Sequence, residues 1–139
     1  MAAGCLLMWI RLVDFGMVVL IWIVQLVVYP GFLFYAKEDL LRWHGQYTGA
    51  ITIIVMPLML GQLCLHGWKL YNQFSSMGLV IFLLVLSTWA VTFLVSVPLH
   101  NQISSGVDIE VASAKLVSTN WIRTVQWTLI FILGLIAAK

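Results

Sequence analysis

Apolar residues run along this chain in four long stretches separated by short polar ones. The first charge-free run covers 15–36, between Asp14 and Lys37, and the second covers 43–68, between Arg42 and Lys69. The third stays apolar from Met77 to Val97, and the fourth runs from Leu116 to Ala138 with Arg123 as its one charge. A helix needs about 20 mostly apolar residues to cross the hydrocarbon core, whereas a membrane barrel strand needs only about 10, with alternating polarity. These runs do not alternate. The pattern therefore predicts helices at about 15–36, 47–67, 77–97 and 117–138. That is an all-α fold, an integral membrane antiparallel four-helix bundle, forming one transmembrane domain over 1–139. Arg11 and Asp14 precede the first run and no small-x-small cleavage site follows it, so it reads as a permanent span.

Local signals refine these helices. Pro57, near the middle of the second, removes an amide donor and frees the carbonyl of Ile53, which predicts a kink. Pro30 is expected to kink or end the first helix, and Pro98 to end the third. Gly45 and Gly49 form a GxxxG, which allows close approach of a helix of the same chain or of a second copy. In the loop 98–115, Asp108 or Ser105 is placed to cap a helix after the turn signal Ser-Ser-Gly. From there Ile109, Ala112, Leu116, Asn120, Arg123 and Trp127 fall on one helical stripe, so the fourth helix is expected to start outside the membrane and enter it continuously.

Composition removes whole classes of function. Hydrophobic residues make up 63% of the chain and charged ones 9%, against about 45–50% and 25% in soluble domains. A soluble fold of this length has nowhere to bury that surface. The net charge of +2, spread over scattered Lys and Arg, also argues against nucleic-acid binding. Four spans put both termini on one side, here side A, with the loops 36–46 and 98–115 on side B. Excluding Arg123, each side carries three Lys or Arg, so the positive-inside rule barely chooses between orientations. The expected setting is a bacterial inner membrane with cytoplasmic termini. Trp9, Trp43, Trp68 and Trp121 lie near predicted helix ends, where indoles anchor at head groups, while Trp22, Trp89 and Trp127 fall at mid-depth as packing residues. Cys5 and Cys64 show no CxxC or Cys/His spacing and read as free thiols.

Polar groups inside a span are expensive and come first as candidates for function. Gln25, Gln126 and Ser87-Thr88 lie near mid-depth, and Arg123 about one turn inside side B. Asn120, Arg123 and Gln126, at i, i+3 and i+6, are expected to share one face. Helix direction brings His100 and Asn101 to the same level from the end of the third helix, and His44 and Tyr47 from the start of the second. The functional reading is a pocket open towards side B, in which Arg123 holds an anionic or carbonyl oxygen and the histidines move protons. The structural alternative pairs Arg123 with Asp108, Glu110, Glu38 or a lipid phosphate and leaves both histidines at the interface. No metal is expected. His44 and His100, with Glu38 or Asp39, are the residues a metal or haem would have to use, and no HxxxH, HxxE or ExxH pairing supports it. His66 is placed on the opposite side, beside Trp68. Asp14 reads as a local ion pair with Arg11, or as the proton-coupled carboxylate of a transporter.

Pro98-Leu99-His100-Asn101, followed by Asn120-Trp121-Ile122-Arg123, resembles small bacterial four-helix membrane proteins and the anthrone-oxygenase-like family, over residues 98–127. That resemblance implies oxidation of a phenolic polycyclic substrate by oxygen, without a cofactor. Some family members carry a His shortly before the Arg; this chain has Asn120 there, so an acid/base role does not carry over to that position. Tyr29-Pro30-Gly31-Phe32-Leu33-Phe34-Tyr35 is similar to a segment of four-helix protoporphyrinogen oxidases, which would imply haem, but the early His of that family is absent. Three functions follow as expectations. The first is a protein that binds a quinone- or polyphenol-like molecule, with oxidoreductase or oxygenase chemistry as an extension. The second is an accessory subunit whose outer faces pack on a larger membrane complex or a second copy. The third is a small proton-coupled transporter.

Overall fold

The computed structural model describes residues 3–137. Ala138, the last residue of the expected fourth span, and Lys139, counted on side A, lie outside the described residues. Those described form four helical rods. The first, α1, covers 3–34: an α-helix Ala3–Ile23, a π-helical turn Val24–Val28, a short α-helical turn Tyr29–Gly31 and a 3-10 turn Phe32–Phe34. The second, α2, is Lys37–Asn72. The third, α3, covers 76–105 and carries a π-helical turn at Thr92–Ser96. The fourth, α4, is Ile109–Ile136. Each rod packs on its neighbour in sequence, and α4 closes back on α1.

Among the described residues, three of the four rods, α1, α2 and α3, are long and apolar enough to cross a membrane. At about 1.5 Å per residue, the 36 residues of α2 extend roughly 54 Å, well beyond a hydrocarbon core of about 30 Å. Its termini suit the helix dipole, with Glu38 and Asp39 in the first turn and Lys69 in the last.

The rods outrun the predicted spans because charges and prolines do not end them. α1 begins well before 15, since Arg11 turns outward while Asp14 turns into the bundle. Pro30 and Pro98 each follow a π-helical turn. The residue just before each proline is bonded five residues back, Tyr29 N–H to the Val24 carbonyl and Val97 N–H to the Thr92 carbonyl. The extra residue in each turn opens room where the proline ring would strike the carbonyl four residues back. The expected stop at Pro98 is therefore corrected: α3 continues to Ser105. α2 likewise runs through Pro57 as one helix.

Two tight turns complete the frame. Ser75 caps α3, its Oγ accepting from the Gly78 N–H at 3.0 Å. A Cβ on Gly78 would lie 2.9 Å from that oxygen, so a larger residue there would require the Ser75 hydroxyl to shift. Between α3 and α4, Gly106 takes φ +77° and Asp108 φ 47°. Asp108 is the residue before α4, but neither it nor Ser105 caps the helix through its side chain. Ser105 donates instead to the Gln102 carbonyl.

The core forms where the stripe of α4 meets the other rods. Ile109, Ala112, Leu116, Asn120, Arg123 and Trp127 are all buried, as their spacing predicts, against Met17, Ile21, Met59, Ile81 and Val85. The outer faces are apolar and exposed, with Phe34, Ile53, Tyr71, Phe74 and Leu94 each at least three-quarters exposed or nearly so. Trp22, expected as a packing residue, lies on this outer face edge-on to Trp121, and its Nε1 donates to Thr128 Oγ1 at 3.2 Å. Gly45 and Gly49 are exposed, with no atom of another rod within 4 Å of a Cβ built on either, so among the described residues the GxxxG joins no second helix.

Candidate functional site

Arg123 sits on the inward stripe of α4 at 6% exposure, and hydrogen bonds hold it in the bundle. Its Nε donates to Asn120 Oδ1 at 3.0 Å, and its Nη2 donates to the same oxygen and to the Tyr29 hydroxyl at 3.0 Å. Asn120 is fixed in turn by α1, its Nδ2 donating to Gln25 Oε1 at 2.9 Å, while Gln25 Nε2 donates to the Val117 carbonyl at 3.2 Å. The acid partners expected in the structural alternative are corrected: among the described residues the one histidine–carboxylate contact within 4 Å is His66–Asp14, and neither Asp108, Glu110 nor Glu38 reaches the guanidinium. Those acids lie at the rod ends beyond reach of a side chain anchored inside the bundle.

A chain of hydrogen bonds leads away from Arg123. The Tyr29 hydroxyl lies 3.0 Å from His100 Nε2, His100 Nδ1 lies 2.8 Å from His44 Nε2, and His44 Nδ1 lies 3.2 Å from Ser104 Oγ. His44 is fully buried, and Ser104 is exposed at the end of α3. Tyr29 comes from α1, His44 from α2, His100 and Ser104 from α3 and Arg123 from α4, so all four rods meet here. Both π-helical turns border the site. One carries Gln25; the other carries Thr92 and Ser96 on the cavity wall.

The cavity beside this chain has a volume of about 210 Å³. Its walls are largely apolar, with Ile21, Val24, Ile51, Val55, Met59 and Trp127 among them, and Arg123, His100, Tyr29 and Tyr47 form a polar end. The guanidinium lies 5.8 Å from the centre of the Trp127 ring, a cation–π distance. Thr92 Oγ1, also on the wall, is buried without a hydrogen-bond partner. The outward-facing Thr52, Phe93 and Val97 form the side of the cavity nearest the bundle surface.

Of the expected residues, Arg123, His100 and Tyr47 line the cavity, His44 stands one hydrogen bond behind His100, and Asn120 braces Arg123. Two sit elsewhere. Asn101 is exposed on the outer side of α3. Gln126 points to α3, its Nε2 donating to Ser87 Oγ at 2.9 Å. Each three-residue step on a helix drifts about 60°, so i and i+6 cannot share a face as i and i+3 do. Tyr29 is the residue that sequence reading missed as a site member; the signal was its position in a Tyr-Pro pair at the depth of Arg123. His44 and His100 spend ring nitrogens on each other, and among the described residues no group of three or more His, Cys, Asp or Glu is placed to hold a metal.

A second polar cluster lies further along the bundle. Asp14 is buried and accepts from Gln62 Nε2 at 2.7 Å, with His66 Nε2 at 3.0 Å from its other oxygen. Gln62 Oε1 accepts from Trp127 Nε1 at 3.0 Å. The expected Asp14–Arg11 pair and the interfacial His66 are both corrected. Asp14 faces α2, where buried donors wait for it, and His66 is buried to meet it.

No protein-family model, curated protein or solved structure matches this chain.

Proposed function

We propose that this chain is an integral membrane protein of the bacterial inner membrane that binds a flat hydrophobic molecule bearing an anionic or carbonyl oxygen, of quinone or polyphenol class, in the cavity ended by Arg123. The observation that carries this reading is a buried cation with no carboxylate partner among the described residues, presented to an apolar cavity. A buried charge is costly unless it is paired. A ligand oxygen supplies the missing anion. The 210 Å³ volume lies below the roughly 300–1,000 Å³ of whole-ligand pockets. It therefore suits a ring head group, with any apolar tail leaving past Thr52 and Phe93.

Apolar outer faces support lipid as the solvent. The levels of contact support an antiparallel bundle: Asp14 meets Gln62 and His66, while Phe32 meets His44 and Tyr47, so α1 and α2 run in opposite directions. Both termini then share one side, which we assign to the cytoplasm. Oxidative chemistry on the ligand is what the resemblance of residues 98–127 adds. The transporter reading gains little here, because Asp14 is engaged by Gln62 and His66 and the link onward is the donor-only indole of Trp127.

The test is purification in mild detergent followed by titration with 2-hydroxy-1,4-naphthoquinone, an acid already ionised at neutral pH. Trp127 on the cavity wall makes quenching of indole fluorescence the readout. Saturable quenching that Arg123→Leu removes supports the proposal. No binding, together with stoichiometric co-purification of larger subunits, favours the accessory-subunit reading.

A further inference from the structure

The hydrogen-bond chain that starts at Arg123 has a direction, and the direction says what the cavity does to a ligand. Arginine carries only donors, so the Tyr29 oxygen accepts from Nη2. Among the described residues the other polar groups at that hydroxyl are His100 Nε2, 3.0 Å away, and the Tyr47 hydroxyl, itself placed to donate to the Tyr29 oxygen, so Tyr29 O–H donates to His100. A neutral imidazole accepting at Nε2 carries its hydrogen on Nδ1, and His100 therefore donates to His44 Nε2. By the same rule His44 donates from Nδ1 to Ser104 Oγ, at the exposed end. Arg123 thus aligns every hydrogen from the cavity towards the surface. The charged and titratable groups facing this chain are Arg123 from α4, Tyr47 and His44 from α2, Tyr29 from α1 and His100 itself from α3; no carboxylate pairs with either histidine of the chain.

We infer, building on the pocket proposed above, that the ligand is a weak acid of the phenol class which enters as the neutral hydroxyl and is held as its anion, its proton leaving through Tyr29, His100 and His44 to Ser104. The ligand O–H bond breaks and its proton passes to the Tyr29 oxygen as Tyr29 gives its own to His100 Nε2. His100 Nδ1–H passes to His44 Nε2, His44 Nδ1–H passes to Ser104 Oγ, and Ser104 releases a proton to water. The sum is one phenol to one phenolate and one hydrated proton, with no change of oxidation state. Afterwards Tyr29 accepts from Arg123 and His100 and donates to the phenolate, while Arg123 Nη1, unused in the bonds to Asn120 and Tyr29, is left as a donor for the anion. Both histidines have exchanged Nδ1–H for Nε2–H. Reprotonation of the departing ligand runs the same steps backwards and resets the chain.

The experiment uses the full chain in detergent with 2-naphthol, which is un-ionised at neutral pH, its methyl ether, and 2-hydroxy-1,4-naphthoquinone as the control for the pocket. Calorimetry in buffers of different ionisation enthalpy counts protons, and spectra of ¹⁵N-histidine-labelled protein report the tautomers. The expected result is about one proton released per naphthol bound and affinity for naphthol about tenfold or more above that for the ether. His44 and His100 are expected to change from Nδ1–H to Nε2–H on binding. If the naphthoquinone binds but naphthol releases no proton or binds no better than the ether, anion capture is overturned and the pocket stands. If a proton is released while the two tautomers stay as they were, the relay is overturned. If none of the three compounds binds, the pocket and the inference fall together.

Discussion

Arg123 is braced at two points, and the bracing decides which replacements it tolerates. Asn120 and Tyr29 both take their bonds from the planar guanidinium fork. A lysine ammonium is a point charge that cannot reach both and still present a donor to the cavity. Arg123→Lys is expected to insert and fold but to bind 2-hydroxy-1,4-naphthoquinone about tenfold or more weakly, read from fluorescence titration. Asp108→Asn and Glu110→Gln are expected to leave both insertion and binding unchanged, since neither acid pairs with Arg123; a loss of binding in either would show the arginine to be an ion-pair residue. In the other cluster, Asp14→Ala leaves the Gln62 amide and the His66 ring without their buried acceptor. A buried group left unpaired costs roughly 1–3 kcal/mol, so thermal unfolding in detergent is expected to show a loss of that order.

At the scale of elements, glycines of different standing separate steric from conformational effects. Gly78→Ala drives a methyl against Ser75 Oγ and shifts the hydroxyl that caps α3, and Ser75→Ala removes the cap directly; each is expected to cost about 1 kcal/mol. Gly106→Ala meets no neighbour, but its φ of +77° is one that residues with a Cβ avoid, and a loss of similar size follows from strain alone. Gly45→Ala and Gly49→Ala stand in open space within a helix, where alanine is favoured over glycine by up to about 1 kcal/mol. These two variants are expected to match or exceed the parent in thermal unfolding. The π-helical turns also act at this scale. By absorbing Pro98 the second of them lets α3 carry His100 on into the site rather than stopping short of it, and the first lets α1 continue through Pro30 to Phe32, which packs on His44 and Tyr47.

For the whole molecule, the proposed topology places residue 5 on one side and the end of α3 on the other. Cys5 and Cys64 are both exposed, so Cys64→Ser leaves Cys5 as a single reporter, and Ser105→Cys, with Cys5→Ser added, supplies the opposite one. A membrane-impermeant maleimide added to sealed vesicles of one orientation is expected to label only one of the two; labelling of both would end the antiparallel proposal. Side-specific labelling also decides whether Ser104, where the relay ends, faces the cytoplasm.

By itself the sequence determined the helical class, the number of rods and the inward stripe of α4, because these depend on local hydrophobicity and on a helical period that acts over a few residues. It also pointed to Arg123, Asn120, His100, His44 and Tyr47, because a polar side chain in an apolar run stands out wherever it faces. Helix ends were less legible: a charge such as Asp14 can turn inward, and a proline such as Pro98 can be absorbed by a π-helical turn, and both depend on what packs alongside. Only the tertiary structure decided the azimuth of each side chain. It sent Gln126 to Ser87 and Asn101 to the surface, brought Asp14 to His66 across 52 positions of sequence, and inserted Tyr29 between Arg123 and His100. Partner choice between helices rests on packing over the whole bundle, and no window of neighbouring residues contains it.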